Sequence, residues 1–193
     1  TNSGIDIVQI ASANSDGVSR NLYTWFDVNK SGLILNNATE YVNTQLGGYV
    51  DYNYRLGLRP AKIILNEVTS ANPSSINGFI EVAGHRAGVV IANANGIVVD
   101  NGGFINTSHA VFTTGKPVMN GGLGAYQVNG GSVIITGQGL DAKTTDRLDI
   151  VSADAAVTAG VWGGDEINVV TGHNSVESQT LQTQKLNNNT AVM

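Results

Sequence analysis

The chain has 193 residues, of which 13% are charged, with a formal net charge of −5 and no cysteine. That length buries a core for one domain. With no block of Lys or Arg it lacks the basic footprint of a nucleic-acid binder, and without Cys it can form neither disulfides nor thiolate metal sites.

Ile5-Asp6-Ile7-Val8-Gln9-Ile10 alternates as a half-buried strand. Leu22 to Val28 is aromatic and apolar, with Trp25 expected to pack inside a cap, and Gly32 to Asn37 is a further strand running into a turn. A solenoid exposes an apolar end and unpaired strand edges unless a segment covers them, so residues 1–38 are read as a strand-built cap. From 39 to 60 polar residues and Tyr dominate, which suggests an excursion from a wall.

From Ala61 to Gly115, short apolar runs are separated by turns of Asn, Gly, Ser and Thr. The chain holds 22 Asn and 24 Gly, the residues that best tolerate positive φ at tight corners. From Ile80 onward apolar runs begin at Ile80, Val89, Ile97, Phe104, Ala110, Ala125, Val133, Leu148, Ala155, Val161 and Ile167, with wider gaps before Ala125 and Leu148. Hairpin sandwiches space their strands about 8–12 residues apart. Three short strands with three corners recur about every 20–25 residues in a parallel β-helix, which the closer spacing fits. No helical periodicity is sustained. The expectation is one all-β domain over 1–193, with a cap at 1–38, a small extrahelical β-element at 39–60, coils at 61–178, and a frayed or truncated last coil at 179–193. Trp162 is expected to pack in the wall.

No signature of catalysis or metal binding stands out. His85, His109 and His173 lack the spacing of metal ligands, and neither a Ser-nucleophile elbow nor a phosphate loop occurs. Glu67 and Glu81, each in a strand-like run, are the best carboxylates for a glycosidase pair. Gly121-Gly122-Leu123-Gly124 and Gly163-Gly164-Asp165 read as turns, because they do not repeat in tandem as calcium-binding nonapeptides do. Asn66, Asn93, Asn95, Asn106 and Asn168 are candidates for stacked ladders at corners. The sequons at Asn37, Asn106 and Asn188 are expected by chance in so Asn-rich a chain. The opening TNSGIDIVQIASANSDGVS lacks a charged segment followed by an apolar one, so any export signal is expected to have been removed. No run approaches the roughly 18 apolar residues of a membrane helix.

An ordered set of segments resembles one family. They include Leu33-Ile34-Leu35-Asn36-Asn37, Gln45-Leu46-Gly47-Gly48, Ile64-Leu65-Asn66-Glu67-Val68-Thr69-Ser70 and Asn72-Pro73-Ser74. Gly103-Phe104-Ile105-Asn106-Thr107, Thr113-Thr114-Gly115-Lys116-Pro117 and Glu166-Ile167-Asn168-Val169-Val170-Thr171-Gly172 follow. Over about 17–172 the chain is similar to the secretion domain of two-partner secretion exoproteins, the filamentous haemagglutinin and contact-dependent inhibition family of Gram-negative bacteria. The family tetrapeptide Asn-Pro-Asn-Leu stands here as Asn53-Tyr54-Arg55-Leu56, and Asn-Pro-Asn-Gly as Asn93-Ala94-Asn95-Gly96, so both prolines are lost. A Cys pair found in some members around Val99 to Gly103 is also missing.

The resemblance implies a right-handed parallel β-helix with an amino-terminal cap, exported through the periplasm and secreted or displayed at the cell surface. The implied partner is an outer-membrane transporter of the Omp85 type, which recognises the domain through its POTRA domains. Asn53, Tyr54, Arg55 and Leu56 are the expected recognition residues. Asn93, Ala94, Asn95 and Gly96 form either a structural turn or part of the same surface. No enzyme activity, cofactor, metal or nucleic acid is expected, and the domain is expected to be a monomer. Two alternatives remain: an adhesin that binds host glycan or protein receptors, and a polysaccharide-degrading enzyme.

Overall fold

A computed structural model describes residues 4–186. Three parallel walls enclose an apolar interior. The first wall holds β1 (Asp6–Gln9), β3 (Leu33–Asn37) and β8 (Phe79–Gly84), followed by the far halves of β10 (Ile97–Ile105) and β14 (Ser132–Ala142) and by β17 (Val161–Gly163). The second holds β2 (Val18–Tyr23), β6 (Ile63–Val68), β9 (Ala87–Ala92), β11 (Thr107–Thr113), β15 (Arg147–Ser152) and β18 (Glu166–Thr171). The third is narrower: Val28 bridges β7 (Ser74–Ile76), and the near halves of β10 and β14 continue to β16 (Asp154–Val157). The chain visits the walls in rotation, and this is a β-helix.

Register explains the apolar spacing. On the second wall Ile64, Val89, Ala110, Leu148 and Ile167 stand in one row. On the third, Val28, Ile76, Val99, Ile135 and Val157 do the same. Side chains alternate across a strand, so one set of every strand points inward and meets the set of the coil above it. Ile80, Ile91, Ile97, Phe112 and Ile135 are wholly enclosed.

Within the segment expected as a cap, 1–38, the strands β1, β2 and β3 are paired into the walls themselves. β1 and β2 lie at the outer ends of their sheets, with one neighbour each. Trp25 does not pack in a cap. It is 61% exposed at the corner beyond β2. Trp162 is half-exposed too, on a strand that has a neighbour on one side only.

One segment departs from the expected coils. The run near Ala125 is not a rung. β12 (Lys116–Asn120) and β13 (Gly122–Gln127) form an antiparallel hairpin, extended by β19 (Asn174–Glu177) and β20 (Thr183–Lys185) into a four-stranded sheet. Its Leu123, Tyr126, Val128 and Val176 cover Val18, Leu65, Val90, Val111 and Val151 on the outer face of the second wall. Strands buried on both faces read as continuous apolar runs, as in Ala87–Ala92. β20 lies in the segment expected to fray. Residues 187–193 of that segment, with the Asn188 sequon, lie outside the described residues.

Candidate functional site

The excursion at 39–60 is tied down at its base. Asn37 is fully buried. Its Nδ2 donates to the Ala61 carbonyl at 2.9 Å, and its Oδ1 accepts the Ala61 N–H at 2.7 Å. The same Nδ2 reaches the His85 carbonyl in the next coil. One amide thus joins the residue where the chain leaves the wall to the residue where it returns.

Between those points β4 (Val42–Thr44) and β5 (Gly48–Val50) make an antiparallel hairpin. Val50, Val42 and Leu46 rest on Ile34 and Ala83, the outer face of the first wall. Glu81 in that wall accepts the N–H of Gln45 and of Leu46, one with each carboxylate oxygen, both at 2.8 Å. A carboxylate that receives two backbone donors in a sheltered place is a strong anchor.

The chain then forms a single 3-10 turn over Tyr54–Leu56. Asn53 caps it, its Oδ1 accepting the Arg55 N–H at 3.0 Å. The Asn53 Nδ2 donates to the Ile10 and Asn36 carbonyls, so this side chain is buried. Leu56 is buried in the main core. Of the four expected recognition residues, only Tyr54 and Arg55 face solvent; Tyr54 is 72% exposed, and Arg55 Nη1 donates to the Gln9 carbonyl at 3.3 Å. Tyr41, Tyr49 and Tyr52 are exposed beside them, and the Tyr41 and Tyr49 rings stack with centroids 5.0 Å apart and planes 2° from parallel. Four of the chain's six tyrosines therefore crowd one small projection. Its signals in sequence are the Tyr content of 39–60 and the place of the tetrapeptide Asn53 to Leu56.

The second tetrapeptide is a corner. Asn93 is buried; its Oδ1 accepts the Asn95 N–H, and its Nδ2 donates to the Asn72 carbonyl and to Ser74 Oγ. Asn95 Nδ2 donates to the Ser70 carbonyl. Gly96 closes the turn at φ 111°, and a Cβ there would meet the Ser132 carbonyl oxygen at 3.3 Å. Ala94 and Asn95 are exposed, so this motif stitches neighbouring coils with its buried half and offers little surface.

The asparagines do not form one uniform ladder. Asn66 points inside the second wall, in register with Asn21, and Tyr23 Oη donates to its Oδ1 at 3.0 Å. Asn106, at φ 55°, donates to the Val82 and Gly84 carbonyls. Asn168 joins a network that sequence spacing did not reveal. Asp149 is buried on the outer face of the second wall and accepts from His109 Nε2 at 2.6 Å, Arg147 Nε at 2.8 Å and Asn168 Nδ2 at 2.9 Å. Burial pushes its pKa up, but those donors outweigh it and hold the carboxyl below the usual range. Arg147 Nη1 also donates to the Gln179 carbonyl, fastening the antiparallel sheet to the wall.

Glu67 and Glu81 sit on different walls and are not brought together as an acid and a base. Glu67 Oε2 accepts from Arg20 Nη2 at 2.7 Å, and Glu81 holds the hairpin. His85 Nε2 lies 2.9 Å from Thr39 Oγ1, apart from the His109 network. Gly121 to Gly124 form the tip of the β12–β13 hairpin and the start of β13.

A family model described as TPS secretion domain matches residues 1–193. The chain is 44% identical over 189 residues to Toxin CdiA of Yersinia pestis, covering 97% of this chain and 6% of that protein. It is 46% identical over 177 residues to tRNA nuclease CdiA of Escherichia coli O6:K15:H31, covering 90% of this chain and 5% of that protein. The chain thus spans only a small part of the length of these relatives. The solved structure "Crystal structure of filamentous hemagglutinin secretion domain" superposes with a TM-score of 0.87 at 34% identity, covering 95% of this chain and 63% of that one.

Proposed function

The chain belongs to the TPS secretion domain family, and from that premise we propose that POTRA domains of an Omp85-type outer-membrane transporter recognise it before its coils wind outside the cell. Two-partner secretion couples such a domain to an outer-membrane transporter, and the Gram-negative exoproteins that carry it are secreted or held at the surface. The finer reading is that the chain travels through the periplasm extended, uses Tyr54 and Arg55 as recognition side chains, and works as a monomer without catalytic activity. The observation that carries it is the projection at 39–60: a separately anchored element whose Tyr54 and Arg55 are exposed, Arg55 making one hydrogen bond to the Gln9 carbonyl, while the flanking Asn53 and Leu56 are buried. Exposed Tyr and Arg are the residue types that anchor interfaces. An extended chain without disulfides also suits a narrow pore and can pair with the edge of a partner's sheet.

The test is export of a passenger fused behind residue 193 in cells carrying the cognate transporter, together with pull-down by its isolated POTRA region. Tyr54→Ser with Arg55→Ser is expected to lower both export and capture. Unchanged export and capture would remove the assignment from this projection.

A further inference from the structure

The corner where the chain turns from the first wall into the second stacks basic residues from successive coils. Lys62 follows Ala61 into β6, His85 and Arg86 link β8 to β9, and Arg59 arrives from the end of the projection. They line one cavity of about 540 Å³, together with Asn14, Gly17 and the exposed Leu58. Three of the ten Lys and Arg of the chain and one of its three His meet here, and no carboxylate lies among the described lining residues. In a protein of net charge −5 this is a local concentration of cations, one of which, Arg86, is paired with Asp146.

The cations differ in how far they are committed. Arg86 forms two hydrogen bonds with Asp146 outside the cavity, Nη1 to Oδ2 at 2.9 Å and Nη2 to Oδ1 at 3.0 Å. His85 meets Thr39. Arg59 and Lys62 have no carboxylate partner among the described residues. Lys62 is held in place: its Cγ and Cδ lie against Gly17, where an added Cβ would come within 2.9 Å of them. Its backbone N–H donates to the Gly17 carbonyl at 2.8 Å. The cavity also has an apolar side, formed by Leu58, Pro60 and Ala61.

We infer that this corner cavity binds a phosphorylated saccharide: phosphate against Arg59 and Lys62, sugar ring against Leu58 and Pro60. Arginine and lysine both suit phosphate oxygens, arginine as a fork and lysine as a point charge. The volume exceeds what a lone phosphate fills and lies in the range of small-molecule sites of about 300–1,000 Å³. The inference concerns the folded surface and does not depend on how the extended chain is read by a transporter.

The probe is glucose 6-phosphate, titrated into the 15N-labelled domain, with inorganic phosphate and glucose in parallel. The amides of Gly17, Lys62, His85 and Arg86 are expected to shift with glucose 6-phosphate at millimolar concentration, less with phosphate alone and not with glucose. Arg59→Glu with Lys62→Glu is expected to weaken binding at least about tenfold, equivalent to about 1.4 kcal/mol, with an unchanged circular dichroism spectrum and melting temperature. Lys30→Glu, at a cation that does not line this cavity, is expected to bind as the parent does. No response to glucose 6-phosphate, or the same response in the folded charge-reversal variant, would overturn the anion site. Equal affinity for inorganic phosphate would overturn the saccharide assignment.

Discussion

Asn37 and Ala61 are locked together by both ends of one side-chain amide, 2.9 Å for donation and 2.7 Å for acceptance. That pairing lets the projection leave a continuous wall without loosening the coil on either side, since it replaces the backbone bonds lost where the strand is interrupted. Asn37→Ala is expected to orphan the buried Ala61 N–H and free both carbonyls, at about 1–3 kcal/mol for each buried group left unpaired. Urea unfolding of the variant against the parent checks this. Asn37→Asp is expected to do no better, because its oxygens would face the Ala61 and His85 carbonyls.

Glu81 has a narrower task. Its carboxylate receives the Gln45 and Leu46 N–H groups and no basic side chain. Glu81→Ala should release the hairpin while the coils persist, because Ile80 and Val82 still point into the core. Limited proteolysis is expected to cut between residues 39 and 60 much faster than in the parent, with a small change in melting temperature. A fall in melting temperature without new cleavage in that segment would show that Glu81 supports the wall instead.

How much of this was legible in the sequence depends on whether a residue's partner repeats at the coil period. Rows such as Val28, Ile76 and Val99 arise from local apolar runs and Asn or Gly corners, so the β-helix follows from spacing. The projection at 39–60 was visible because its composition breaks that rhythm. The antiparallel sheet was not. Val118 and Ala125 alternate like rung strands, and a period of two does not distinguish parallel from antiparallel pairing. The doubly buried run Ala87–Ala92 carried the signal that something covers the outer face. Asn53 and Leu56 belong to the expected recognition tetrapeptide by its place in the sequence, but burial depends on contacts distant in sequence: the Asn53 amide is spent on the Ile10 and Asn36 carbonyls, and Leu56 enters the main core. The Asp149 network joins three rungs whose register only the assembled wall sets.

That network makes stability depend on acid. The Asp149 pKa is held below its ordinary value of 3.8 in the folded state. A depressed carboxyl contributes stability in full above its unfolded pKa and loses it as pH falls through the folded one. Stability should therefore be level in this respect from neutral down to about pH 5 and then decline as the pH drops below about 4. Asp149→Asn keeps the shape but leaves Arg147 without its buried partner, which is expected to cost about 3–5 kcal/mol at neutral pH. Its denaturation midpoint should also fall less steeply than the parent's in the acid range. Equal slopes would mean that other carboxylates dominate acid unfolding.

The coils themselves offer a source of directed motion during export. Each added coil buries apolar side chains against the one before it, at roughly 25 cal/mol per Å², so winding outside the cell opposes slippage back through a pore without nucleotide hydrolysis. Ile91 is suited to testing this. It is wholly enclosed, in a row with Asn66 and Phe112, whereas Tyr54 and Arg55 are exposed. Ile91→Asp places a carboxylate in that interior and is expected to prevent stable winding. If winding drives export, the variant should still be captured by the POTRA region in pull-down but cross more slowly in a pulse-chase secretion assay. Export at the parental rate would uncouple folding from translocation, and loss of capture would mean that Ile91 contributes to recognition as well.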